Sequence, residues 1–159
     1  MSDLTSLIWR TLRDPRGGLR AVLALGLTMQ ERWLVFALAV VLPTLLIGLL
    51  LLAVPVPAEM MLTLSPIGLA ISQGLGLGLM VFLAHSVGRM RGGRGDFADT
   101  LLTLSWLQII IVAILMAVMV IEMALPLMAT LVALIAIVLI LWVLTNFIAE
   151  LHGFQSLPM

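Results

Sequence analysis

Long apolar runs separated by short polar stretches dominate the pattern of the chain. Four of these runs are long enough to cross a bilayer core of about 30 Å, which requires about 20 helical residues. We place the four predicted membrane helices at residues 33–54, 66–86, 100–121 and 126–148. The pattern therefore predicts an all-α, polytopic integral membrane protein.

The amino-terminal segment has a different pattern. An apolar stripe recurs there at helical spacing, and two arginines lie away from it; these residues are Leu4, Leu7, Ile8 and Leu12, with Arg10 and Arg13. A helix of this kind lies flat in the headgroup region of a membrane. We favour this placement over binding in a partner's groove, because no long soluble region is available for the helix to pack against.

These patterns divide the chain into three parts. Residues 1–32 are predicted to form a cytoplasmic, interfacial segment with a short amphipathic helix. Residues 33–148 are predicted to form the four-helix transmembrane domain, and residues 149–159 a cytoplasmic tail.

Composition agrees with the apolar pattern. Of the 159 residues, 63% are hydrophobic and 10% are charged, whereas a soluble domain usually carries about 25% charged residues. The mean hydropathy is +1.27. Cysteine is absent, which excludes disulfide bonds and thiolate metal sites. The length leaves room for one integral domain and no separate soluble catalytic domain.

The arginines predict the orientation in the membrane. All eight basic residues lie either before the first predicted membrane helix or between the second and the third; they are Arg10, Arg13, Arg16, Arg20 and Arg32, then Arg89, Arg91 and Arg94. Basic residues near membrane helices are retained on the cytoplasmic side. We therefore predict that both termini are cytoplasmic. The three arginines of the second group either act only as this topological signal or also bind anionic lipid headgroups or an acidic partner.

The loop "RMRGGRGDF" joins the second and third predicted membrane helices. Its glycines, Gly92, Gly93 and Gly95, are predicted to allow the turn, because glycine adopts backbone conformations that other residues avoid. Asp96 is predicted to cap the third membrane helix, where the positive end of the helix dipole favours a carboxylate.

Small residues recur four apart in the second predicted membrane helix, as Ser72 with Gly76 and Gly74 with Gly78. This spacing lets two helix backbones approach closely. We favour packing within the chain over self-association, because a four-helix protein has several internal contacts to make.

Chemically active groupings are scarce. His85 and His152 are expected at the cytoplasmic ends of membrane helices, but they lack the spacing of a metal-binding motif such as His-Glu-x-x-His. The sequence "GRGD" matches the Gly-x-Gly-Asp pattern of intramembrane aspartyl proteases, which also need a second membrane aspartate. No predicted membrane helix contains one. We therefore predict no catalytic residues, no metal site and no cofactor, and that the protein is not an enzyme.

Three passages resemble the bacterial branch of the Yip family, the Ypt-interacting multi-pass membrane proteins. They are "DPRGGLRAVLAL", "GGRGDFADTLLTLSWLQ" and "LWVLTNFIAELHGF". The resemblance implies an all-helical protein of a bacterial inner membrane with a cytoplasmic amino terminus, and it places Gly92, Gly93 and Phe97 in the family's paired-glycine loop. Family members usually have five membrane helices, and the resemblance implies that a fifth would begin near "LHGFQSLPM"; the sequence is then either a naturally short member or a truncated one. The acidic domain through which eukaryotic relatives engage small GTPases is missing, so their trafficking role is not carried over.

These features favour a non-enzymatic membrane protein that organises or assists other membrane components. Its expected partners are the lipid bilayer and other membrane proteins or a second copy, and not nucleic acid. The alternative is a small transporter or channel subunit, with Gln73 and a kink at Pro43 along its path. Facing charged residues in mid-membrane would favour transport, and the predicted membrane helices contain none.

Overall fold

Helices account for nearly all of the computed structural model, which describes residues 2–53, 65–93 and 95–153. In chain order the helices are α1 (Ser2–Arg13), α2 (Pro15–Leu23), α3 (Met29–Ala53), α4 (Pro66–Met90), α5 (Phe97–Ala124) and α6 (Ala129–His152), with a 3₁₀ turn at Pro126–Met128 before α6. The described residues contain no strand. The predicted all-α class is confirmed.

Four helical segments are long and apolar enough to cross a membrane, as predicted; they are Met29–Leu51, Pro66–Met90, Phe97–Ala124 and Pro126–His152. Several helices continue about one turn beyond the apolar runs. Polar residues such as Glu31 and Glu150 occupy these extra turns, because a helix satisfies its backbone hydrogen bonds whether or not its side chains are apolar.

Local sequence signals set where the helices begin. The Asp96 carboxylate accepts a hydrogen bond of 2.6 Å from the Asp99 N–H at the start of α5. The Ser65 hydroxyl accepts one of 3.1 Å from the Gly68 N–H at the start of α4. Each cap pairs a backbone N–H that has no partner within the helix.

The α5 helix is the centre of the bundle. It packs against α3, α4 and α6, and every residue of its first half from Thr100 to Leu107 is buried. Of the apolar window in α5, 44% is buried inside the protein, against 11% in α4 and in the segment that contains α6. The core therefore follows α5, and the surrounding helices leave most of their apolar surface facing outward.

The two short helices form a hairpin that packs on the membrane helices. The Trp106 indole N–H on α5 donates a hydrogen bond of 3.3 Å to the Thr11 hydroxyl on α1, and Leu19 and Val22 of α2 are part of the buried core. Trp106 is nine residues into α5, so this contact lies about 13 Å along α5 from its first residue. The amphipathic segment thus has a packing surface within its own chain, which its sequence pattern does not indicate; its interfacial placement stays a prediction.

Candidate functional site

Most of the charged residues lie at one end of the bundle, where α4 and α6 end and α3 and α5 begin. We term this the charged end; it is bounded by Met29, Met90, Phe97 and His152. Contacts across it join α3 to α5, α2 to α6 and α4 to α6. The site therefore consists of residues that tie separate helices together.

An ion pair joins α3 to α5 at the charged end. The Arg32 guanidinium lies 2.7 Å from the Asp99 carboxylate, with side-chain exposures of 13% and 37%. Arg32 also donates a hydrogen bond of 2.9 Å from Nε to the Leu27 carbonyl. Because the arginine is largely buried and has two partners, its charge is paired with groups inside the protein.

Two polar contacts join α2 to α6. Arg16 donates a hydrogen bond of 3.1 Å to the Asn146 side-chain oxygen, and Arg20 lies 3.4 Å from the Glu150 carboxylate. The partners are four residues apart on both helices, so α2 runs parallel to the last turns of α6. Arg20 is 65% exposed, and water therefore weakens its ion pair.

A buried histidine joins α6 to α4 and to the loop that follows it. The His152 ring is 3% exposed, and it fills the space that a Cβ would occupy at Gly88 and at Gly93. His85 packs edge-on against Phe97, with ring centroids 5.8 Å apart. A side chain at Gly88 or at Gly93 would therefore force the His152 ring to move.

The glycines of the predicted turn have two different roles. Gly92 has a φ of +78°, a conformation that side chains disfavour. At Gly93 and Gly95 the requirement is space: a Cβ on Gly95 would lie 2.9 Å from the Leu151 Cγ and 3.0 Å from the Leu151 carbonyl oxygen. The loop is therefore fitted closely against the end of α6.

The other predicted arginines are on the surface. Arg10, Arg13, Arg89 and Arg91 are exposed, and the Arg13 guanidinium lies 5.9 Å from the centre of the Trp9 ring. In the part of the chain that the structure describes, these four have no ion pair. Arg94 lies outside the described residues. The arginines thus divide into a paired group at positions 16, 20 and 32, which contacts other helices, and a group of exposed arginines without ion pairs among the described residues.

The small residues of α4 also divide into two groups. A Cβ on Gly74 would lie 3.8 Å from Val40, and one on Gly78 would lie 4.0 Å from Phe36, both on α3. Gly76 has no atom within 4 Å of such a Cβ, and Ser72 is exposed. Of the two pairs, only Gly74 with Gly78 lies between two helices of the chain.

Sequence reasoning placed His152 at a helix end but missed the contacts of the α6 residues that complete the site, which are Asn146, Glu150, Leu151 and His152. Their partners lie far away in sequence, as with Arg16 and Asn146, which are 130 residues apart. The glycines opposite them carried a partial signal, because Gly88 in the last turn of α4 and Gly93 in the loop that follows both leave room for a ring. Within the described residues, no group of three or more histidine, aspartate or glutamate side chains is placed to hold a metal ion.

Comparison with known proteins gives one family. The family model described as the Yip1 domain matches residues 9–158, which is nearly the whole chain. No curated protein and no solved structure matches this sequence.

Proposed function

This chain belongs to the Yip1 domain family, and from that premise we propose that it is a non-enzymatic protein of a bacterial inner membrane that organises or assists other membrane components. The observation that carries the proposal is the contrast between the charged end and the outward helix faces. The paired arginines and the loop glycines contact the protein's own helices, whereas the outer helices offer broad apolar faces.

The outward face of α4 is the best defined of these surfaces. Its exposed apolar side chains recur every four residues, at Ile67, Ile71, Leu75 and Leu79. Residues four apart form a ridge on a helix, and such ridges pack into the grooves of neighbouring helices. In lipid, association between helices depends on this kind of packing. The α4 face is therefore suited to another membrane helix.

Crosslinking inside the native membrane tests this role. We would place a photoreactive amino acid at the exposed Leu75 and, as a matched control, at the buried Leu77 of the same helix. We expect Leu75 to crosslink to discrete protein partners and Leu77 to crosslink only within the chain. Lipid adducts alone at Leu75, with no protein partner, would contradict the proposal.

The orientation that we propose places the charged end in the cytoplasm. The exposed arginines Arg89 and Arg91 lie there, whereas the described residues at the opposite end carry the acidic Glu122. Basic residues are retained on the cytoplasmic side. Since α3 begins at the charged end and α6 ends there, both termini would be cytoplasmic.

A transporter or channel subunit is the second candidate, and one feature favours it. Glu122 lines a groove of about 330 Å³ between α5 and α6, with Met119 and Ala136 among its apolar neighbours. A carboxylate in such a groove is suited to a cationic substrate. Cation uptake into proteoliposomes that the Glu122→Gln variant abolishes would favour this candidate, and equal, background uptake in both proteins would count against it.

A further inference from the structure

An apolar groove lies between α4 and α6, directly below the charged end. Its volume is about 450 Å³, and its lining includes Met80, Leu83, Ala84 and Val87 on α4 and Leu144 and Ile148 on α6. From Met80 to Val87 the α4 backbone rises about 10 Å, which is about two-thirds of one leaflet of a 30 Å hydrocarbon core. Above the groove, His152 packs on Gly88 and brings the two helices together.

One of the two exposed arginines at the end of α4 lies on the groove face. The Arg91 N–H donates a hydrogen bond of 3.1 Å to the Val87 carbonyl, so Arg91 continues the helical register one turn above Val87. Arg89 is two residues from Val87, which places it about 200° around the helix axis, on the opposite side. The two arginines therefore have the same charge and are both exposed, but they have opposite positions relative to the groove.

We propose that the α4–α6 groove binds an acyl chain of an anionic phospholipid whose phosphate is held by Arg91. The apolar lining matches the chain, and the arginine above it matches the negative headgroup. A partner helix is about 10 Å wide with its side chains and would have to pass the closed contact between Gly88 and His152. A phospholipid fits this shape, because its acyl chain ends at the headgroup, at the same level as the closed end of the groove. This site is independent of the proposed organising function.

Lipid titration followed by native mass spectrometry tests the headgroup contact. Purified protein would be titrated with phosphatidylglycerol and with phosphatidylcholine of the same chain length. We expect tighter binding of phosphatidylglycerol, a loss of about fivefold in its affinity in Arg91→Ala, and no loss in Arg89→Ala. Arg91→Lys should retain most of the affinity. Equal losses in the two alanine variants, or no preference in the unaltered protein, would overturn the proposal.

A second pair of variants tests the acyl chain. Leu83→Trp fills the groove from its exposed side, whereas Phe82→Trp places the same ring on a different face of α4, and both positions are exposed in the structure. We expect Leu83→Trp to weaken phosphatidylglycerol binding and Phe82→Trp to leave it unchanged. Unchanged binding in Leu83→Trp would overturn the proposal. Inorganic phosphate should displace no more phosphatidylglycerol than chloride does at equal ionic strength. Greater displacement by phosphate would show that the site binds phosphate without an acyl chain, and it would overturn the proposal.

Discussion

The ring of His152 occupies the volume that a side chain at Gly88 would need. This contact brings the last turn of α6 against the last turn of α4, and it lies next to the loop glycine at position 93 that contacts the same ring. At this end of the bundle, the His152 ring therefore packs directly against the backbone at Gly88 and Gly93.

Replacement of Gly88 by alanine should destabilise the protein. The added methyl group would force the buried ring to move, and overpacking of this kind costs about 1–3 kcal/mol. The control is Gly76→Ala on the same helix, where a Cβ meets no atom within 4 Å and stability should not fall. Unfolding in detergent measures both, and the double variant Gly88→Ala/His152→Ala should lose less than the two single changes added together. Equal stability of the Gly88 and Gly76 variants would contradict this prediction.

The two ion pairs at the charged end should contribute unequally to stability. Arg32→Gln removes a largely buried charge with two partners, and we expect a loss of about 1.5 kcal/mol in the free energy of unfolding. Arg20→Gln changes a side chain that is 65% exposed, and its loss should be below about 0.5 kcal/mol. Denaturant titration of both variants provides the comparison. A larger loss of stability in Arg20→Gln than in Arg32→Gln would contradict this prediction. It would mean that the contact of α2 with α6 stabilises the charged end more than the contact of α3 with α5.

The sequence predicts the elements of this fold well because they depend on local patterns. The length of the apolar runs predicts four membrane helices, and the residue before the third of them predicts its cap, at Asp96. The need to satisfy backbone hydrogen bonds in lipid makes these signals strong. These signals depend on residues that are close together in the sequence, so they can be recognised without knowledge of the tertiary packing.

The contacts at the charged end could not be predicted in the same way. The sequence suggests that Gly93 and Gly95 provide a flexible turn, because flexibility is a property of the residue itself. Their fit against Leu151 and His152 depends on how the helices are arranged. The pairing of Arg16 with Asn146 likewise depends on the α1–α2 hairpin packing on the membrane helices. Such long-range contacts follow from the assembled bundle and leave no periodic pattern.

The glycines between α4 and α3 should tolerate alanine but not leucine. A Cβ at Gly74 or Gly78 would be in ordinary van der Waals contact with Val40 or Phe36, whereas a leucine at either position would push α3 away. We expect Gly74→Leu/Gly78→Leu to lower the melting temperature in detergent and the corresponding double alanine variant to leave it nearly unchanged. Gly76→Leu is the matched control, because that position has open space. A double leucine variant as stable as the unaltered protein would show that the two helices do not need this close approach.

The orientation of the bundle can be tested with single cysteines, because the chain has none of its own. Met90 is 84% exposed at the charged end, and Leu127 is 95% exposed at the opposite end. If the arginines hold the charged end in the cytoplasm, a membrane-impermeant maleimide should label Leu127→Cys in intact spheroplasts and Met90→Cys only after lysis. Labelling of both variants in detergent is the control for reactivity. The reverse pattern in spheroplasts would place both termini outside, and the exposed arginines would then have to act by some means other than the positive-inside rule.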